Sequence, residues 1–348
     1  MTFGFLTRDN LHLSRPTNSL PDDADILPND GQASAAVGWS GAITCTDKTP
    51  TQVPDRVAAL VEASIAENTR RAYRSDLAHF AAWGGRLPAE PAAVASYLAA
   101  HSETLSVATL VRRMATISKA HEARGVPNPA RSEIVRATLR GVKRTRGIAQ
   151  HEAKPLLRED LFRVLDAMGD AVKDVRDRAL LLIGFAGGFR RSELVGLDCA
   201  DIERVRQGMI ITLRRSKTDQ EGAGRKVGLP HGRTRHCPIL ALDSWLAVSG
   251  IDAGPVFRPV DRHGRIAADR LSGEAVSLVV KERVSGTGMD PTGYSGHSLR
   301  AGFATSAAQA GVSSLKIRAQ TGHASDAMLA RYVRDGELFA GNAASALL

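Results

Sequence analysis

Two unlike hydrophobic patterns meet near Pro155, and a chain carrying both cannot fold as a single uniform layer. Upstream, from about residue 53 to 146, apolar residues recur at helical spacing. Tyr73, Leu77 and Phe80 stand at i, i+4 and i+7, one face of a helix that Asn68 or Thr69 can cap and that Gly84-Gly85 ends near Trp83. Further helices are predicted over 91–101, over 106–124 with Val107, Leu110, Val111, Met114 and Ile117 inward, and over 131–141. Downstream, helices over 158–168, 174–187 (with the apolar run ALLLIGFAGG) and 190–197 lead into a short β region. There Met209–Leu213 and Lys226–Leu229 flank the turn segment DQEGAG, which predicts a hairpin. Helices over 238–248, 272–285, 297–310, 313–320 and 325–334 follow, with Gly311, Gly322 and Gly336 just past three of them. The fold class is therefore mainly α with a small β-sheet: an N-terminal all-helical domain over 53–146 and a C-terminal α+β domain over 158–336.

Charge points to the partner. The 348 residues carry a formal net charge of +9, with a pI of about 9.8, which favours a polyanion. Residues 1–50 run the other way, with Arg8, Arg15 and Lys48 against six Asp. They lack sustained periodicity and are expected to be a disordered extension. Arg70, Arg71 and Arg74 fall off the apolar face of their helix and are expected to be free to meet phosphates. Arg136, Arg140, Lys143, Arg144, Arg146 and Lys154 form a basic run interrupted by Gly141 and Gly147. It reads either as a flexible strap along a phosphate backbone, with 147–157 as the linker, or as a solvated helix face followed by a loop. Cys45, Cys199 and Cys237 are scattered and form no CxxC pair, so no structural zinc is expected. With no apolar run of membrane-spanning length, no membrane partner is expected either. A bacterial cytoplasmic, nucleoid-associated protein is the expectation.

Five stretches of the second half carry chemistry: GGFRRSELVGL, RRSKTDQ, SGHSLRAGFAT, QTGHAS and LARYVR. They supply Arg190, Lys217, His297 with Arg300, His323 and Tyr332. This inventory of cations, two imidazoles and a phenol, without a carboxylate cluster, suits attack on a phosphodiester by a tyrosine without a metal ion or other cofactor. Guanidinium groups stay charged and match two phosphate oxygens at once. His297 and Arg300, at i and i+3, share a helix face. Ser325 can cap the last helix, with Met328 and Leu329 inward and Tyr332 near its end.

In order and spacing these stretches resemble the tyrosine recombinase, or phage integrase, family, and its Cre-like and Xer-like site-specific recombinases in particular. The arginine of RRSEL lies at 190 against the histidine of HSLR at 297, and the GH histidine and the tyrosine follow at 323 and 332. The resemblance spans about 60–340 and includes NTRRAYRSDLAHFAAW at the start of the helical domain. It implies a core-binding, SAM-like helical domain and a catalytic domain that clamp double-stranded DNA at a recombination site. It also implies a homotetramer on two sites, strand exchange through a Holliday junction, and a tail, 337–348, that docks on a neighbouring protomer. Residue by residue, it makes Arg190 and Arg300 the catalytic arginines, Glu193 their acidic support, Lys217 the mobile lysine, His297 and His323 the histidines, and Tyr332 the nucleophile. Arg70, Arg71, Arg74, Arg140, Lys143, Arg144 and Arg146 remain the expected DNA contacts. Two alternatives share the fold: a type IB-like topoisomerase, and a catalytically silent DNA-binding protein.

Overall fold

The structure is a computed structural model that describes residues 56, 60, 64–147, 153–214 and 224–336. The expected extension 1–50, Lys217, most of the hairpin turn segment and the tail 337–348 lie outside the described residues.

Four helices make the first hydrophobic core: α1 Glu67–Ala82, α2 Pro91–Ala100, α3 Val107–Glu122 and α4 Glu133–Arg146. Phe80, Val94, Tyr97, Leu98, Leu110, Ile117, Val135, Leu139 and Val142 are buried together there. Helix α1 starts two to three residues before the expected caps. Ala66 takes the N-cap position without a side-chain bond, and Asn68 and Thr69 lie inside the first turn. Helix α3 is capped by Ser106, whose hydroxyl accepts from Thr109 N at 3.2 Å. The largest difference from expectation is α4, which runs to Arg146 rather than 141, straight through Gly141. Burying Val135, Leu139 and Val142 at i, i+4 and i+7 gains roughly 1.5–3 kcal/mol each. That outweighs the penalty of about 1 kcal/mol for a helical glycine. The basic run 136–146 is thus a helix face and not a flexible strap. Lys143, Arg144 and Arg146 occupy the last turn, where the helix dipole favours cations.

The second core is built from α5 Arg158–Asp166, α6 Val172–Ala186, α7 Arg191–Val195, α8 Pro238–Ser249, α9 Gly273–Ser285 and the start of α10 His297–Gln309, and α11 Ser314–Thr321 and α12 Asp326–Gly336 follow. An antiparallel sheet joins them, β1 Ile202–Val205, β2 Gly208–Leu213 and β3 Arg225–Pro230, in the order β1-β2-β3. Strand β1 falls in the short β region expected ahead of the hairpin. Helix α6 is central: Ala179 through Gly184 are all buried, as a continuous apolar run demands. In β3, Val227 and Leu229 face the core while Lys226 and Gly228 face out, and Arg225 pairs with Leu213.

Residues 154–156 are already tied to this second core. Lys154 N donates to Gly293 O at 2.7 Å and Leu156 N to Ser298 O at 3.0 Å. Gly302 of α10 permits the approach, since a Cβ there would lie 1.8 Å from Leu156 O. A small cluster of Ala304, Ala308, Ile317 and Leu329 holds α10, α11 and α12 together, with Tyr332 packed against it. Met328, expected inward, is 52% exposed while Leu329 is buried. Successive helical residues point about 100° apart, and only one of the pair can face α10.

Candidate active site

Three chain reversals bring the predicted residues together. After α6 the backbone turns at Gly188 (φ +57) and delivers Arg190 as the residue preceding α7. The Glu193 carboxylate folds back over that end: Oε2 accepts Arg190 N at 3.0 Å and Oε1 accepts Arg190 Nη1 at 2.5 Å. Arg190 Nη2 donates to Gly322 O at 3.2 Å. The second reversal starts α10. Ser298 Oγ accepts from Ser295 N at 2.9 Å, which sets His297 in the first turn and Arg300 one turn on. Arg300 is 2% exposed. Its Nη1 donates to Gly188 O at 2.8 Å and to Thr321 O, and its buried Nη2 makes no hydrogen bond among the described residues.

The third reversal, between α11 and α12, carries Gly322 in the left-handed region (φ +68) and then His323. His323 is buried, with Nδ1 2.7 Å from Thr321 Oγ1. Helix α12 returns Tyr332 so that its Oη lies 2.8 Å from His297 Nε2. The phenol ring is 5.8 Å from the His323 ring and 6.3 Å from that of His297.

The electrostatics of this pocket are those of an anion site. Burial, followed by Arg300 and Arg190, lowers the pKa of His297. Burial and the same arginines bring His323 down to about 3. Burial and the neighbouring Arg190 bring even Arg300 down to about 10, with Glu193 acting in the opposite direction. Among the described residues, Glu193 is the one carboxylate in ion-pair contact with Arg190 or Arg225, and Arg300 has none. The cluster therefore holds more positive charge than it neutralises, together with a buried, unused donor. An anion with several oxygens meets both demands at once.

Of the predicted site residues, the structure gathers Arg190, Glu193, His297, Arg300, His323 and Tyr332; Lys217 lies outside the described residues. The predicted DNA contacts sit on α1 and α4. Arg71, Arg74 and Arg144 are exposed and Lys143 is half-buried. Arg70, expected to be free, pairs with Glu67 at 2.6 Å. Arg140 pairs with Glu133, and Arg146 donates to Ser102 O at 2.6 Å.

Arg225 was missed. It opens β3, lies 3.6 Å from Glu193 Oε2 and donates to Ala319 O and Gln320 O. The signal was available, since period-2 alternation puts Arg225 in phase with Val227 and Leu229, on the inward face.

With this geometry in place, comparison with known proteins identifies the class. The chain belongs to the phage integrase family, whose model matches residues 154–337. It is 38% identical over 293 residues to the integrase/recombinase xerD homolog of Selenomonas ruminantium, covering 81% of this chain and 86% of that protein. It is 28% identical over 297 residues to the recombinase cre of Escherichia phage P1, covering 78% and 85%. A lambda integrase tetramer bound to a Holliday junction has the same fold, with a TM-score of 0.57, 18% identity, and coverage of 81% of this chain and 76% of that one. The protein is a site-specific tyrosine recombinase, an enzyme that cleaves and rejoins DNA. No described helix is long and apolar enough to cross a membrane.

Proposed function

We propose that Tyr332 is the nucleophile of this recombinase and that the cluster around it is the site of strand cleavage. Tyr332 Oη attacks the scissile phosphorus, the bond from phosphorus to the 5′ oxygen breaks, and a 3′-phosphotyrosyl link remains. A phenol with an ordinary pKa near 10 needs a base. His297 is placed for that role, and its lowered pKa keeps it neutral at neutral pH. With the imidazole proton on Nδ1, Nε2 is left to accept the phenolic proton. Arg190 and Arg300 bind the non-bridging oxygens, where charge grows as the fifth ligand arrives. For His323 to donate to one of those oxygens through Nε2–H, the Thr321 hydroxyl must leave Ile317 O, to which it donates at 2.7 Å, and turn toward Nδ1. Lys217 gives its proton to the departing 5′ oxygen, which leaves as a hydroxyl, a role implied by the family pattern. The phosphotyrosyl bond conserves the energy of the phosphodiester, so a 5′ hydroxyl from another strand can reverse the step without ATP.

The observation that carries this reading is the 2.8 Å contact between Tyr332 Oη and His297 Nε2 beside Arg190 and Arg300, the latter with a buried donor that has no hydrogen-bond partner among the described residues. We extend it to the assembly: four protomers on two sites, exchanging strands through a Holliday junction. The tetrameric lambda integrase complex supports that extension. The separate hydrophobic cores support a helical domain over 53–146 and a catalytic domain over 158–336.

The test starts by selecting the preferred duplex from a random pool with the purified protein. A nicked version of that duplex is then incubated with the protein in EDTA. A denaturant-stable protein–DNA adduct is expected; the absence of any adduct on a duplex the protein binds tightly refutes the reading.

A further inference from the structure

We propose that Arg225 is a positioning residue for strand cleavage, the third member of an arginine set organised by the C-terminal end of α11. The inference rests on the site reading above. The last carbonyls of a helix have no partner within it, and at α11 four consecutive ones are taken by guanidinium groups. Arg225 Nη1 donates to Ala319 O at 3.2 Å and to Gln320 O at 2.6 Å. Arg300 Nη1 donates to Thr321 O, and Arg190 Nη2 donates to Gly322 O. The helix end, with its partial negative charge, thus holds three cations that would otherwise repel one another. Because His323 follows directly, the same turn also fixes the imidazole.

Arg225 is tied to the set from a second side. Its Nη2 lies 3.6 Å from Glu193 Oε2, the oxygen that accepts Arg190 N. Gly322 makes this possible, because a Cβ there would lie 2.8 Å from Arg225 Cζ. A neighbouring bond works to the same end: Gln320 Nε2 reaches Ala186 O at 3.0 Å and Gly228 O at 3.3 Å, joining α11 to α6 and β3. Among the described residues the 3.6 Å approach to Glu193 is the contact the buried Nη2 of Arg225 makes, with no hydrogen bond besides it. Arg225 therefore sets the place of the α11 turn and of Glu193, and through them the aim of Arg190 and His323.

The experiment measures single-turnover cleavage of the selected nicked duplex at saturating protein, together with Kd for the intact duplex and Tm. Arg225→Ala is expected to slow cleavage about 100-fold, the scale of an ångström-sized misplacement. Kd should stay within about threefold and the melting transition should remain cooperative. Arg225→Lys should recover only part of the rate, because an ammonium cannot span two carbonyls and a carboxylate. In the Arg225→Ala background, Glu193→Gln should add less than its own separate loss. Cleavage by Arg225→Ala within about twofold of wild type overturns the proposal. So does a fall in Kd affinity that matches the fall in rate, or a full product of the two single losses in the double variant. If Arg225→Ala does not fold, Arg225→Lys is read by the same criteria; if neither folds, Arg225 serves the fold and the proposal fails. A wild-type protein that forms no adduct removes the site reading itself, whereas normal adduct formation in wild type and variant alike removes only the role of Arg225.

Discussion

Arginines on helices α1 and α4 and arginines in the second core behave as two different materials. Arg71, Arg74 and Arg144 stand in solvent, where each charge is well hydrated and screened by salt. Arg70 and Arg140 pair with acids on their own helices, and such exposed pairs contribute little to stability. Arg300 is nearly inaccessible, Arg190 is half-buried, and both are held by backbone carbonyls, Arg190 also by Glu193. The exposed set suits affinity for a polyanion at any sequence, which salt erodes. The buried set suits stabilisation of charge that appears only during reaction, because its geometry is fixed beforehand.

Four substitutions would break or sharpen this contrast. Tyr332→Phe should abolish the covalent adduct completely while leaving Kd for the duplex unchanged in a gel-shift titration. His297→Gln should slow cleavage by about 10²–10⁴ and should also change its pH dependence. As the proposed base, His297 must be neutral to accept the proton, and its pKa is lowered from the ordinary 6.5. The wild-type rate should therefore hold as pH falls through 6.5 and decline only on the acid side of it; the variant should lose that limb. Arg300→Lys keeps the charge but not the fork and should cost about 100- to 1,000-fold in single-turnover rate. The smallest effect belongs to the exposed set. Arg144→Ala should weaken binding and reduce the slope of log K against log salt by about one, with cleavage at saturating protein unaffected. A buried substitution that acted only on Kd, or an exposed one that acted only on the rate, would erase the contrast.

Much of this was legible in the sequence, for reasons that differ by residue. The apolar spacing of Tyr73, Leu77 and Phe80 and the glycines at 84, 311 and 322 located helices because periodicity and chain reversal are local properties. Gly141 misled because its neighbours Val135, Leu139 and Val142 pay for a helical glycine through burial against other helices, which is a tertiary effect. Met328 and Leu329 could not be told apart, since both are apolar and a shift of one position decides which of them meets α10. The site residues were recognisable as an ordered set, but the reason they cohere was not. The carbonyls of residues 319–322 carry no side-chain signature, so the helix end that collects Arg190, Arg225 and Arg300 appears only in three dimensions. Arg225 itself could have been flagged as a charged residue in the inward phase of a strand.

The most direct test of the central claim is to digest the trapped protein–DNA adduct with trypsin and nuclease and to locate the modified residue by mass spectrometry. Cleavage after Arg331 and Arg334 isolates a short peptide containing Tyr332, and the account predicts a phosphonucleotide on that tyrosine. A nucleotide attached to any other residue, with the Tyr332 peptide unmodified, would contradict it.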